Sequence, residues 1–407
     1  MSTESPILWI LAGDRMDAIV LGPMVRYREM AKAAVAAGYR VRLCLDSCSV
    51  ELPTGVEFRK LSRRTISEIA PGDRVLARIS LGPAVLHALF ASGLEFDVDF
   101  YSISATEALE ADDGMPRWRL FQGRRRTALR YLALVRHSRR ILVSIPEHQA
   151  FLGGLFFSRG DAGSCRIAST LPEHSFLAPM GVPVDPVPSD LPNPYPESIR
   201  HRPIFLWGGG IWAWFDVESL LQSFRILQEG GRDPVLFFLC GTNPSGLTSQ
   251  DAPVRNALSR AAELGLLGRN VHFLEKGASP SELPGYLAHC TAGIMANPER
   301  LESVCSWRTR LLDLLWARKP VVVSGYDPLS SAMVRNGQGV AVPSGDAEAL
   351  ARAIADFAPT TRPSDTLADS LRWPRVFAPW LESVRGPFGR RSHWPGIVFW
   401  IRFVLGI

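Results

Sequence analysis

Apolar residues in this chain gather into short unbroken runs that end in glycine or proline, with amphipathic stretches between them. In the second half the runs are PIFLWGGG (203–210), PVLFFLCG (234–241), NVHFLEKG (270–277), TAGIMANP (291–298), PVVVSG (320–325) and GVAVP (339–343). Between them, 217–231, 252–268, 281–289, 306–319 and 346–357 carry helical spacing of apolar positions. Runs that are hydrophobic throughout, alternating with helices, predict parallel strands covered on both faces. This half therefore reads as a doubly wound α/β domain.

The first half repeats the theme less regularly. A strand in PILWILAG (6–13) leads to a helical pattern over 25–40. Further strands follow at 40–45, 56–61, 74–79 and 141–145, and an Arg-rich helical insert is expected near 115–140. The segment VPVDPVPSDLPNPYPES (182–198) holds six prolines, which end ladders and helices alike, so it reads as a linker. The expected layout is an N-terminal Rossmann-like domain over 1–185, a linker over 186–200 and a second Rossmann-like domain over 201–358. A C-terminal return segment with a basic and aromatic tail covers 359–407. Two such domains are expected to face a cleft at the C-terminal ends of their strands, where open α/β sheets bind ligands.

Composition narrows the class. The 407 residues are 46% apolar and 21% charged, an ordinary globular balance over a length that suits two domains. A net charge of +5 gives no reason to expect nucleic acid. The six cysteines form no CxxC pair or zinc spacing and read as reduced, buried thiols of a cytosolic protein. MSTES is followed at once by a core-strand pattern, so no signal peptide is expected, and no apolar run is long enough to span a bilayer.

Two stretches carry chemistry. In LWGGGIWAWFDVESLL, Gly208, Gly209 and Gly210 lie between a strand and a helix, where glycine lets backbone amides approach an anion. Trp212, Trp214 and Phe215 add aromatic surface suited to a base or sugar face. Asp216 is placed to cap the next helix. In ERLESVCSWRTRLLDLLWARKPVVVSGYD (299–327), Ser306 can cap a helix bearing Arg308, Arg310 and Asp313. Arg308 and Arg310 point to different faces, so one of them is expected to reach a diphosphate. Arg310 and Asp313 can also simply pair, and both readings stay open. Glu302 would face a sugar.

These stretches, with DRMDAIVLGPMVRYREMAKAAVAAGYRV (14–41), LAPMGVP (177–183) and GVAVPSGDAEALARAI (339–354), resemble glycosyltransferases of the GT-B fold. The likeness is to the retaining, family 4-like (group 1) enzymes that use nucleotide-sugar donors. It implies an acceptor-side first domain, a donor-binding second domain, and a nucleotide sugar as co-substrate with no cofactor and no metal. Gly22 would lie beneath the donor phosphates, and Glu302 would be the first acid of the family's Glu-x7-Glu motif and the candidate catalytic carboxylate. Arg310 stands where the second glutamate belongs, leaving Asp313 to bind ribose. IWAWFD replaces the usual Arg and Lys phosphate ligands, which makes Arg308 and Arg310 the substitutes. The donor-site set is thus Gly22, Gly208, Gly209, Gly210, Trp212, Glu302, Arg308, Arg310 and Asp313.

Other signals weigh less. Asp97-Val98-Asp99 is a DxD, a metal-binding signature of a different glycosyltransferase fold, and is set aside in favour of the metal-free architecture. His148 is expected to cap a helix or lie on the surface. A dinucleotide oxidoreductase is disfavoured because GGGIWA (208–213) lacks the G-x-G-x-x-G spacing. A non-catalytic nucleotide-sugar-binding module is the remaining alternative. Residues 115–140 hold nine arginines and no acid, and 386–407 begin basic and end aromatic. Both suit an anionic membrane surface, and hence a glycan or lipid-linked acceptor in surface-polysaccharide assembly on the cytoplasmic face of the inner membrane.

Overall fold

The computed structural model describes residues 6–17, 22–103, 106–107, 116–240, 251–274, 277–357 and 365–385. The chain divides into two compact units. The first comprises 1–105, 114–181 and 373–407; the second comprises 106–113 and 182–372. Residues 106–113, expected in the first domain, thus group with the second. The tail 386–407 lies outside the described residues.

The first unit is built on a seven-stranded parallel sheet. Its strands are β1 (Ile7–Leu11), β3 (Arg40–Leu45), β5 (Val56–Lys60), β6 (Arg74–Arg78), β7 (Asp97–Phe100), β8 (Ile141–Val143) and β9 (Ser175–Leu177), in the order β5-β3-β1-β6-β7-β8-β9. A small separate pair joins β2 (Arg15–Met16) to β4 (Ser47–Cys48). Leu8 pairs with Val41 on one side and Arg74 on the other, so β1 sits where the strand order reverses. β7 and β9 escape the hydrophobic-run reading. The sequence of β7 is DVDF, and its two acids mask a strand whose four residues are all buried.

Both acids have structural partners. Asp99 takes two 2.8 Å bonds from Arg26, and Asp97 accepts the Trp380 indole N–H at 2.8 Å. The DxD is therefore a core feature of this unit. His148, expected at a cap or the surface, is fully buried; it is the third residue of the helix Pro146–Phe157, whose N-cap position is Ile145. The Arg-rich stretch is no insert but the crossover helix Arg117–His137 between β7 and β8. Its second half packs inward, with Tyr131 edge-on to Phe100 at 4.7 Å. Its first half is exposed, including Trp118 at 58% and Phe121 at 64%.

The helix Trp373–Ser383 completes this unit. Trp373, Val376, Phe377, Trp380 and Leu381 form its buried stripe at helical spacing. Tyr39 donates to the Leu381 carbonyl at 2.7 Å, and Arg74 donates to the carbonyls of Val384 and Arg385.

The second unit carries a six-stranded parallel sheet: β10 (Ile204–Trp207), β11 (Val235–Phe238), β12 (Val271–Phe273), β13 (Ala292–Ala296), β14 (Val321–Ser324) and β15 (Gly339–Val342). The order is β12-β11-β10-β13-β14-β15, so the reversal falls between β10 and β13. Each strand coincides with a predicted run. The helix Pro328–Arg335 was not among the predicted elements; Asp327 caps it by accepting the Leu329 and Ser330 amides. The proline-rich segment is not a free linker. Tyr195 is fully buried within it, bonds the Tyr286 carbonyl at 2.9 Å, and sets its ring edge against Phe237 and Tyr286. Proline rings cannot join a ladder, but here they present apolar surface that packs against the helix Leu283–His289 at Gly285.

Candidate functional site

In open α/β sheets the crevice at the strand-order reversal, beyond the C-terminal strand ends, is where ligands bind. In the second unit that point is flanked by the loop after β10, which carries Gly208–Gly210, and the loop after β13, which leads to Glu302. Gly209 has φ +107, a conformation L side chains rarely adopt, so the turn needs glycine there. Phe215 and Asp216 pin the far side: the Asp216 amide donates to the Ala296 carbonyl at the end of β13. Asp216 also caps the helix Val217–Glu229 by accepting the Ser219 amide at 3.0 Å, as its position in the sequence implies. Trp212 and Trp214 stack with centroids 5.0 Å apart and planes 4° from parallel.

The two arginines separate cleanly in role. Arg308 gives two bonds to Glu302, at 2.8 and 2.6 Å, and the pair is almost wholly buried. Ser306, expected to cap a helix, instead donates to Glu302 Oε1 at 2.6 Å, and the helix begins later, at Thr309. Glu302 is thus engaged on both oxygens. As placed here it anchors Arg308 and Ser306.

Arg310 takes the other direction. It donates to the Gly210 carbonyl at 2.9 Å, and its guanidinium lies 4.3 Å from the Phe215 ring centre and 5.3 Å from that of Trp207. Among the described residues it makes no ion pair with Asp313, so the simple pairing of these two is not realised. Burial and the Arg308 charge lower its proton affinity to about 9, still a cation at neutral pH. Asp313, one turn on, is raised by burial to about 7, with Arg310 opposing the rise. Among the described residues no carboxylate bonds Arg310, which lies beside the glycine loop and the indole pair.

Gly208, Gly209, Gly210, Trp212, Glu302, Arg308, Arg310 and Asp313 all fall within the second unit. Gly22 lies in the first, as the opening residue of the helix Gly22–Ala36, with nothing within 4 Å of a Cβ built there. Sequence reasoning missed Glu107. It belongs to the short 106–113 excursion into the second unit, and burial together with the Glu302 charge raises it to about 7. No spacing or motif distinguishes it from the neighbouring acids. Asp327, fully buried beside Arg308, is raised as well, first by burial. A polar depression lined by Arg202, Arg232, Asp233, Arg269 and Asn270 lies at the opposite edge of the same sheet. Arg202 there is already committed to Asp233 and the Arg269 carbonyl. Among the described residues no helix is long and apolar enough to cross a membrane.

Comparison with known proteins places this geometry. Residues 202–358 match the family model of glycosyl transferases group 1. No curated protein sequence matches the chain significantly. Among solved structures, WaaG, a glycosyltransferase involved in lipopolysaccharide biosynthesis, is 14% identical, with 93% of this chain and 94% of that one covered and a TM-score of 0.55. HepE of Anabaena in complex with UDP and glucose is 13% identical, covering 93% and 97%, with a TM-score of 0.55. An α,α-trehalose-phosphate synthase (UDP-forming) from Burkholderia xenovorans, in complex with glucose-6-phosphate, is 10% identical, covering 93% and 100%, with a TM-score of 0.64. Identities this low speak for the fold, while the family match covers the unit that holds the site. The chain has the α/β architecture of GT-B glycosyltransferases, with two Rossmann-like units, and its residues 202–358 are similar to glycosyl transferases group 1.

Proposed function

We propose that this chain transfers a sugar from a nucleoside-diphosphate donor to a glycan or lipid-linked acceptor, with retention and without a metal. The observation that carries the reading is Arg310, a cation bonded among the described residues only to a backbone carbonyl, at the strand-order reversal and directly over the glycine loop. In this reading the Gly208–Gly210 amides and Arg310 receive the donor diphosphate and stabilise it as charge builds on the leaving group. Asp313 accepts hydroxyls of the ribose. The Trp212–Trp214 pair offers a flat face to base or sugar. Glu302 and Arg308 form a rigid frame that fixes the start of the helix Thr309–Trp316.

The metal-free step follows from Arg310 and the loop amides supplying the charge that a divalent ion supplies elsewhere. Retention follows from the family resemblance. HepE, of the same fold, was solved with UDP and glucose, which supports a nucleotide-sugar donor. The exposed Trp118 and Phe121, set among Arg117, Arg119, Arg124, Arg125 and Arg126, support work at an anionic membrane surface. WaaG, also of this fold, is involved in lipopolysaccharide biosynthesis, in keeping with a surface-glycan acceptor.

A thermal-shift screen of nucleotide sugars, followed by transfer assays with the best donor and NMR of the product anomer, tests the reading. Stabilisation by one nucleotide sugar and release of its nucleoside diphosphate on transfer are expected. A chain that binds the donor but never releases the diphosphate would instead be the non-catalytic module.

A further inference from the structure

Aromatic rings on and beside the glycine loop form a row that begins in the core and ends at the surface. Trp207, fully buried at the end of β10, meets the Phe215 ring edge-on at 5.1 Å. Phe215 leans against Trp214 at 6.2 Å, and Trp214 stacks on Trp212. Among the described residues Trp212 touches no further ring, so it is the outer end of the row. Trp214 covers one face of its indole, and the side chain as a whole is only half-buried.

The row is held in place by the backbone. The Phe215 amide donates to the Trp212 carbonyl at 3.1 Å, which closes a tight turn through Ala213 and Trp214. Asp216 then ties the end of that turn to β13 through its amide and to the next helix through its side chain. Elsewhere Trp9, Trp316 and Trp380 each donate the indole N–H to a protein oxygen. Among the described residues the N–H groups of Trp212 and Trp214 donate to none. A fixed aromatic face with unused donors at its rim suits a ligand that is itself apolar on one side and polar at its edge.

Charge narrows the ligand further. Residues 208–215 carry no ionisable side chain, whereas the Arg310 guanidinium lies over Phe215, farther in along the row. A phosphate belongs with Arg310 and the loop amides; the Trp212 face beyond them suits an uncharged ring. A pyranose meets both demands, because its C–H bonds form an apolar face that lies flat on an indole while its hydroxyls reach the N–H groups. A nucleobase also stacks on aromatic rings. In the transferase reading, however, the nucleoside end of the donor lies at Asp313 on the helix Thr309–Trp316, which leaves the glycine loop to the sugar end.

We propose that the outer face of Trp212, backed by Trp214, is a pyranose-binding platform that sets the sugar specificity of this chain. Which pyranose it holds, the donor's or the acceptor's, rests on the transferase reading, and the test separates those two sources.

The first arm is NMR of the full chain, isotope-labelled at its indole nitrogens and titrated with UDP, then with methyl pyranosides of glucose, galactose, mannose and rhamnose over saturating UDP. The Trp212 signal is identified by its loss in Trp212→Phe. It is expected to move saturably with at least one pyranoside and much less with UDP alone. Movement with UDP as large as with any pyranoside gives the face to the base and overturns the platform, as does silence with every pyranoside. The second arm is calorimetry with the nucleotide sugar that carries the responding pyranose. Trp212→Ala is expected to weaken it about tenfold while UDP affinity holds within about twofold, and Trp212→Phe, which keeps a flat face, is expected to recover most of the loss. That pattern assigns the donor sugar, whereas unchanged nucleotide-sugar affinity in Trp212→Ala assigns the acceptor sugar. An equal loss of UDP and nucleotide-sugar affinity overturns the platform. Should Trp212→Ala fail to fold, the first arm decides on the parent chain. If a pyranoside moves Trp212 and no nucleotide sugar binds at all, the transferase reading fails and the platform stands.

Discussion

Arg308 spans Glu302 with both terminal guanidinium nitrogens, and the two side chains are 5% and 1% exposed. Arg310, two residues on, has among the described residues only a carbonyl and two aromatic faces. Adjacent arginines of one motif therefore do different jobs. Replacing them separates the jobs. Arg310→Ala is expected to lower nucleoside-diphosphate affinity about ten- to a hundredfold with the fold intact, since charge-assisted bonds contribute about 1.5–3 kcal/mol. Arg308→Ala leaves a buried carboxylate unpaired and is expected to cost about 3–5 kcal/mol of stability. Calorimetry with UDP and urea unfolding read the two effects. Equal effects of both variants on both readouts would remove the distinction.

Asp313 predicts a pH dependence of opposite sign to that of a paired carboxylate. Folded, it keeps its proton up to about 7, whereas the ordinary value is 3.8. Between those values the native state binds more protons than the unfolded one, so this residue's contribution is complete at low pH and is lost as pH rises toward 7. Asp313→Asn deletes that component. Its urea midpoint, measured relative to the parent chain, is expected to rise between pH 5 and pH 8. Parallel curves over that range would show that Asp313 ionises normally.

Gly325 packs where nothing larger fits. A Cβ there would lie 2.0 Å from the Asn297 carbonyl oxygen, and its φ of +74 suits glycine alone. Gly325→Ala must push apart the loops that follow β13 and β14, which the Asn297 amide also ties together through the Ser324 carbonyl at 2.9 Å. A loss of about 1–3 kcal/mol is expected, the usual cost of a strained backbone site. A thermal melt reads it, and an unchanged melting temperature would show that these loops yield freely.

Membrane attachment is testable without the tail. Trp118→Ser with Phe121→Ser leaves the arginines in place and removes the two exposed aromatic groups. Co-sedimentation with anionic liposomes is expected to fall by severalfold, and to fall further when 386–407 are also deleted, since each buried apolar side chain contributes about 1.5–3 kcal/mol. If full-length protein stays in the supernatant at low salt, this helix does not serve a membrane.

The second sheet was readable because its strands are buried on both faces and so lack polar interruptions; VVVS at 321–324 and VLFF at 235–238 leave no other reading. Strand β7 was not, because its acids are satisfied by Arg26 and Trp380, partners 73 and 283 residues away that no local pattern reveals. The glycine loop and the arginine-bearing motif were found by residue type. Which arginine stays free was not, because it depends on Glu302 turning inward. Glu107 was invisible for a similar reason: only the fold carries it into the second unit.

The helix Trp373–Ser383 has a consequence for how the chain is made. Asp97, Arg74 and Arg140 all wait for partners in 380–385, up to 311 residues downstream. Domains ordinarily fold in turn as they leave the ribosome, amino-terminal first. Here the order of completion is inverted: the first unit emerges early yet closes last, after all of 182–372 has been translated. A chain that ended at residue 372 would hold all of the second unit and an unfinished first one, with the Asp97 carboxylate lacking its Trp380 partner.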